Sequence, residues 1–314
     1  MTAPNEKDAC LLVEKALGAK SVSARRFPTG LCHYVYEVEL TDGQSVVARL
    51  AGTHTRQFLA GGVYWQSLLQ PLGLPLPAQL HADLSAPIPH VILERLPGDD
   101  LGNVYATLAN DSKRALAAGI VDAQILTSRL PEATGFGHAL SYKDPALSRC
   151  QSWLQVVAAS LERSRQRIKS AGVVDADLVD RLSPWLRRFE AYFSRVKPTP
   201  FLADTTTKNV IVHQGRLTGI VDVDEICFGD PLLTVGLTQM ALLAAGSDTD
   251  YVAHWLALLN PSAEQRAMVD FYAAVFCADF LGEQGQSFNR TSTAVNPAKI
   301  AALELTLDEL LGRL

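Results

Sequence analysis

The stretch from Phe201 to Pro231, FLADTTTKNVIVHQGRLTGIVDVDEICFGDP, constrains this chain more than any other. Two apolar runs flank Gln214-Gly215-Arg216, and both are rich in β-branched residues. That pattern predicts a β-hairpin. A hairpin closes on itself, so Asn209, just before the first strand, is expected to meet Asp222, at the end of the second. Asp204 lies on the loop leading in. Asn and Asp also flank strands simply as turn formers, which is the plainer reading of each residue alone. Together, three oxygen donors at one end of a hairpin suit Mg²⁺, which takes few carboxylates and shares its shell with phosphate and water.

The same residues resemble the catalytic segment of the aminoglycoside phosphotransferase and choline kinase group, relatives of the protein kinases. That segment usually reads His-Gly-Asp, four residues, Asn, a short hairpin, then Ile-Asp. Here Leu202-Ala203-Asp204 stands in place of His-Gly-Asp, Asn209 matches the Asn, and Val221-Asp222 matches Ile-Asp. Gly229-Asp230-Pro231 matches the Gly-Asp-Pro that often follows. The resemblance implies an α+β, protein-kinase-like two-lobed fold, with a small β-rich N-lobe over residues 1–97 and a large helical C-lobe over 98–314. It further implies transfer of the ATP γ-phosphoryl group to a hydroxyl of a small molecule. Asp204 would accept or orient the hydroxyl proton, and Asn209 and Asp222 would hold Mg²⁺ across the phosphates.

Upstream, residues 5–18 have the spacing of a short amphipathic helix. Ala24 to Leu50 then alternates at period two and turns at Asp42-Gly43, a second hairpin. The loop before it carries Thr29 and Gly30, which by resemblance cover the nucleotide phosphates; a single Gly there also reads as a strand-entry turn. Arg49, in Val47-Ala48-Arg49, stands where the family usually has a Lys that touches the α- and β-phosphates. Arg keeps the charge and forks onto phosphate with a different geometry. Residues 55–70 predict a helix, on which the family carries a Glu that pairs with that Lys. Counting back from Leu74-Pro75-Leu76-Pro77 lands on Gly61 or Gly62, and no acid occurs between Ala51 and Ala82. The familiar ion pair is missing, and any partner has to come from elsewhere. Pro87 to Gly98 reads as a strand and a chain break. By resemblance this is the hinge, where the backbone at Glu94 and Leu96 meets the adenine edge.

From about Asp99 the chain reads as helices, with one opening at Ser112 as N-cap, a loop over 132–142, and helices over 151–169 and 175–196. After the metal-site hairpin, helices are expected over 231–246, 248–259, 263–284 and 296–311, with Asp230 N-capping the first. Asp224, Glu225, Asp279 and Glu283 are candidate substrate residues for an amine or polyol, Asp224 also for the metal; solvated helix surface is the alternative. Asp279 and Glu283 share a helix face.

A balance of 28 basic and 33 acidic residues gives a net charge of −5, which argues against general nucleic-acid binding. No apolar run reaches the roughly 20 residues of a membrane span. Without a signal-like apolar region near the N-terminus, a cytosolic location is expected. Five scattered cysteines support neither a disulfide framework nor a zinc site. Two other functions stay open. A pseudokinase would bind nucleotide or a partner without turnover. A metal-dependent phosphate hydrolase would need further His or Asp ligands, and the one nearby His, His213, lies within the strand.

Overall fold

In the computed structural model the described residues are 3–28, 32–52, 54–288, 291–292 and 294–314. Thr29 and Gly30, the expected phosphate cover, lie outside them. The chain opens with α1 (Glu6–Leu17), fixed by a capping box in which Asn5 and Asp8 exchange hydrogen bonds. Gly18 ends the helix in the left-handed conformation, φ 67°. An antiparallel sheet follows, built from β1 (Ser21–Arg26), β2 (Tyr34–Leu40), β3 (Ser45–Leu50), β4 (Gln79–Asp83) and β5 (His90–Glu94), in the order β1-β2-β3-β5-β4. Along β3, Val46, Ala48 and Leu50 are buried with Ala9 and Val13 of α1. Period two puts Val47 and Arg49 on the other face, toward α2 (Arg56–Leu69).

Helix α2 serves two cores. Leu59 packs with Val91 and Leu93 of the sheet, whereas Trp65 and Leu69 belong to the core of the C-lobe. The Trp65 indole N–H donates to the Ala139 carbonyl at 2.7 Å.

After Glu94 the chain crosses to β6 (Asp99–Asp100), α3 (Leu101–Val104) and α4 (Asn110–Thr127). Helix α4 starts before Ser112, its expected cap, because Lys113 in its first turn is buried and tied to Asp248 at 2.7 Å. Tertiary anchoring fixes that turn in place of a side-chain cap. Three short strands, β7 (Gly137–Ala139), β8 (Thr199–Phe201) and β11 (Ile226–Gly229), form a sheet in the order β7-β11-β8 that local pattern did not predict. Between β7 and β8 lies α5 (Trp153–Ala171), capped by Ser152. The single helix expected over 175–196 is broken into a 3₁₀ segment (Ala176–Leu182), α6 (Ser183–Arg188) and α7 (Glu190–Phe193). Pro184 in the first turn of α6 restarts it, as proline is tolerated only there.

The hairpin consists of β9 (Val210–His213) and β10 (Arg216–Ile220), extended by β6. Helices α8 (Leu232–Ala244), α9 (Asp250–Leu259), α10 (Ala263–Gly282) and α11 (Pro297–Arg313) complete the lobe, with a two-residue pairing of β12 (Ser287–Phe288) and β13 (Thr291–Ser292) before α11. Asp230, one residue before the Pro231 N-cap, accepts the Leu232 N–H at 3.0 Å at the start of α8; it also takes the Tyr192 and Tyr272 hydroxyls, each at 2.8 Å. Tyr272 in turn accepts the Trp153 indole N–H at 2.6 Å, so α5, α7, α8 and α10 are tied at one buried carboxylate. Among the described residues, no helix is long and apolar enough to cross a membrane.

Candidate active site

The turn of the β9–β10 hairpin places Gln214 and Gly215 at φ 50° and 73°. Two consecutive positive-φ residues match the right-handed twist of the strands, which fixes the register. Arg216 pairs with His213 and Ile220 with Val210, and the Val221 N–H then donates to the Asn209 carbonyl at 2.9 Å. Asn209 and Asp222 therefore sit at one end of the hairpin. The Asn209 side-chain N–H donates to the Asp204 carbonyl at 3.0 Å, which brings the third residue in. The Asp204 carboxylate is exposed and accepts the Thr206 hydroxyl at 2.8 Å.

The loop is held from below. Gln124 of α4 accepts the Leu202 N–H at 2.9 Å and donates to its carbonyl at 2.8 Å. Leu202, standing where the family usually has His, is 2 % exposed and packs in the core. Asp222 has φ 63°, a left-handed conformation that is costly for a residue other than Gly and clusters at functional sites.

The acid that pairs with Arg49 is Asp224. Its two oxygens each accept from the guanidinium at 2.8 Å, in a bidentate fork, and Asp222 accepts a third bond at 2.5 Å. His33 Nε2 approaches Asp224 Oδ2 at 2.7 Å. Arg49 and Asp224 side chains are 11 % exposed and Asp222 is 51 % exposed. Burial works against both charges of the fork. Arg49 and His33 nonetheless hold the Asp224 carboxyl below the usual carboxylate range. Helix α2 has glycine where the family has Glu because Asp224 fills that space. A Cβ at Gly61 would stand 2.3 Å from the Asp224 carbonyl oxygen, and one at Gly62 would stand 2.6 Å from Oδ1. Behind Arg49, a cavity of about 30 Å³ beside Gly62 and Leu93 is of water size. The sequence signal for this exchange is the pair of glycines on α2 together with a second Asp two residues past Asp222.

Other candidates fall in different places. Asp224 has both oxygens engaged by Arg49 and His33. Asp279 is tied to α5, accepting from Arg167 at 3.0 Å and Ser164 at 3.1 Å. Glu283 lies just past the end of α10 and is raised above the ordinary Glu range by burial and then by Asp279. Glu225 stays half-buried at the start of β11, near Asp224, Asp144, Arg163 and Asp222, and burial followed by Asp224 pushes its carboxyl up to about 7. His138, not singled out from sequence, pairs with Cys227 across β7–β11 and lies in electrostatic reach of Asp204 and Arg163.

The raised Glu225 pKa makes a measurable statement. The fold favours its protonated form, so its contribution is present below about 4.5 and is lost as pH rises through about 7. Glu225→Gln should stabilise the protein by about 1–3 kcal/mol at pH 8 and leave it unchanged near pH 4. Thermal unfolding of both proteins at the two pH values checks this; equal shifts at both would show that titration is not the cause.

At the hinge, Glu94 receives the Ala78 N–H on its carboxylate at 3.1 Å, and its own N–H donates to Ala78 at 2.8 Å. Arg95 folds back to donate to the Leu96 and Gly98 carbonyls and to Glu37 at 3.0 Å. Thr218 donates to the Pro97 carbonyl at 2.8 Å. The Leu96 N–H makes no backbone hydrogen bond among the described residues.

A β-rich small lobe, a helical large lobe and an Asp-Asn-Asp hairpin site beneath a strand Arg define a kinase-like phosphotransferase fold. A family model described as the phosphotransferase enzyme family (APH) matches residues 23–269, and the chain belongs to that family. No curated protein matches it. Solved structures share the fold over nearly the whole chain at low identity. The GDP complex of aminoglycoside 2'-phosphotransferase-IIIa is 16 % identical, with a TM-score of 0.69 and 99 % of each chain covered. A thermostable mutant of aminoglycoside phosphotransferase APH(4)-Ia, in a ternary complex with ADP and hygromycin B, is 16 % identical, with a TM-score of 0.65 and 97 % of each chain covered. A putative fructosamine-3-kinase from Thermobifida fusca is 13 % identical, with a TM-score of 0.63, covering 97 % of this chain and 98 % of its own.

Proposed function

We propose that this protein transfers the γ-phosphoryl group of ATP to a hydroxyl of a small molecule in the cytosol, with residues 1–97 covering the nucleotide and 98–314 carrying the catalytic loop and acceptor site. The observation that carries the reading is the convergence of Asp204, Asn209 and Asp222 at one end of the β9–β10 hairpin, with Arg49 on the strand above. Asp204, whose exposed carboxylate accepts the Thr206 hydroxyl, is the group that accepts or orients the acceptor hydroxyl proton. The Leu96 N–H and the Glu94 backbone receive the base edge. Arg49 presents guanidinium N–H groups not used by Asp222 and Asp224 to the phosphates.

Mg²⁺ fits the donor set. Asn209 uses its side-chain N–H on Asp204, which leaves Oδ1 to coordinate, and Asp222 Oδ2 carries no hydrogen bond among the described residues. One carboxylate and one amide oxygen suit a cation that completes its shell from phosphates and water. When bound, Mg²⁺ neutralises charge building on the phosphoryl oxygens. Among the described residues, no three His, Cys, Asp or Glu gather to hold a metal.

The first test is thermal unfolding with ATP and Mg²⁺. At about 100 times Kd, a ligand adds about 2.7 kcal/mol, several degrees for a chain of this length. No shift with any nucleoside triphosphate would sink the reading. ATP consumption is then followed across aminoglycoside, sugar and amino-alcohol acceptors. The engagement of Asp222 by Arg49 favours one second reading, a pseudokinase, for which a nucleotide shift comes without consumption of ATP.

A further inference from the structure

Kinase-like sites hold two divalent cations on the aspartate after the hairpin and the catalytic-loop asparagine. We infer that here Arg49 takes the place of one of them, so that the site loads a single divalent cation; this rests on the phosphotransferase reading above.

An aspartate that bridges two cations gives an oxygen to each. Asp222 Oδ1 is held by Arg49 Nη2 at 2.5 Å, which leaves Oδ2 alone. The next carboxylate along offers nothing in its place. Asp224 Oδ1 accepts from Arg49 Nη1, and Oδ2 faces both Arg49 Nη2 and His33 Nε2. Asn209 contributes one oxygen because its N–H is fixed on Asp204. Asn209 and Asp222 therefore offer one free oxygen each, enough for one octahedral cation that shares its shell with phosphate.

The guanidinium is also fixed where it is. Its side chain is 11 % exposed, and a bidentate fork to Asp224 sets its plane. The glycines of α2 are what allow Asp224 to occupy that position. A second dication on Asp222 would have to meet a positive charge already in hydrogen-bond contact with the same carboxylate, and like charges at that range repel strongly. A family-type Lys paired with a helix Glu would leave Asp222 free; the Arg49–Asp224 exchange is what closes one side of it.

The test uses Mn²⁺ as the cation and a non-hydrolysable ATP analogue with the full chain, counting bound Mn²⁺ by electron paramagnetic resonance. One Mn²⁺ per nucleotide-loaded protein is expected for the wild type. In Arg49→Lys the compact ammonium cannot span both carboxylates, and a second Mn²⁺ should bind at least tenfold more tightly than any second ion in the wild type. Two Mn²⁺ in the wild type with nucleotide bound overturns the inference and leaves the phosphotransferase reading standing. A single Mn²⁺ in nucleotide-loaded Arg49→Lys also overturns it. Failure of the wild type to bind the analogue overturns both. The wild-type count decides the matter even where the variant does not fold.

Discussion

Asp204→Asn is expected to lower the rate of phosphoryl transfer by about 10²–10⁴-fold, the range that a positioned acid or base contributes, while nucleotide affinity stays within about twofold. The separation follows from how the loop is held. Asp204 is tied to the site through its backbone carbonyl, which receives the Asn209 side chain, and Leu202 is clamped on both sides by Gln124. None of those bonds uses the Asp204 carboxylate. Its one side-chain hydrogen bond among the described residues is from the Thr206 hydroxyl, which an amide oxygen also accepts. The exchange thus removes a proton acceptor and little else. Steady-state rates on whichever acceptor turns over, with a nucleotide titration beside them, measure both quantities. Turnover within tenfold of the wild type would take Asp204 out of the reaction.

Asp224→Ala should be the most damaging single change to stability among the site residues, at about 3–5 kcal/mol, the cost of stranding one partner of a buried ion pair. Arg49 would keep one bond, to the half-exposed Asp222, and His33, 2 % exposed, would lose its ring's one hydrogen-bond partner among the described residues. For a chain of this length that corresponds to about 4–8 °C in Tm without nucleotide. A fall worth less than about 1 kcal/mol would show that the pair behaves as a surface salt bridge. The variant also opens the space against α2, since the nearest obstacle to a side chain at Gly62 is the Asp224 carboxylate. Adding Gly62→Glu to Asp224→Ala should therefore restore part of the loss, whereas Gly62→Glu alone should be destabilising.

How far the sequence foretold this depends on the range of each interaction. The β9–β10 hairpin was legible because its signal is local: period, turn residues and strand length lie within fifteen positions. From it followed the meeting of Asn209 and Asp222. The partner of Arg49 was not legible, because 175 residues separate it from Asp224 and only the fold brings them together. The gap left by the absent helix Glu was visible; what fills it was not. The strands β7, β8 and β11 escaped for a different reason. They are three or four residues long and nearly all buried, so neither alternation nor length marks them. The break at Ser183 shows the reverse fault, where an apolar period continues across the point at which Pro184 restarts the helix.

The indole of Trp65 has a mechanical consequence. Fully buried, bonded to Ala139 and edge-on to Tyr142 at 5.2 Å, it rivets the far end of α2 to the large lobe. Swinging α2 outward would break that hydrogen bond and expose the indole, so these contacts oppose such a motion. Arg49, on β3 and forked onto Asp224, adds a second tie between the five-stranded sheet and the large lobe.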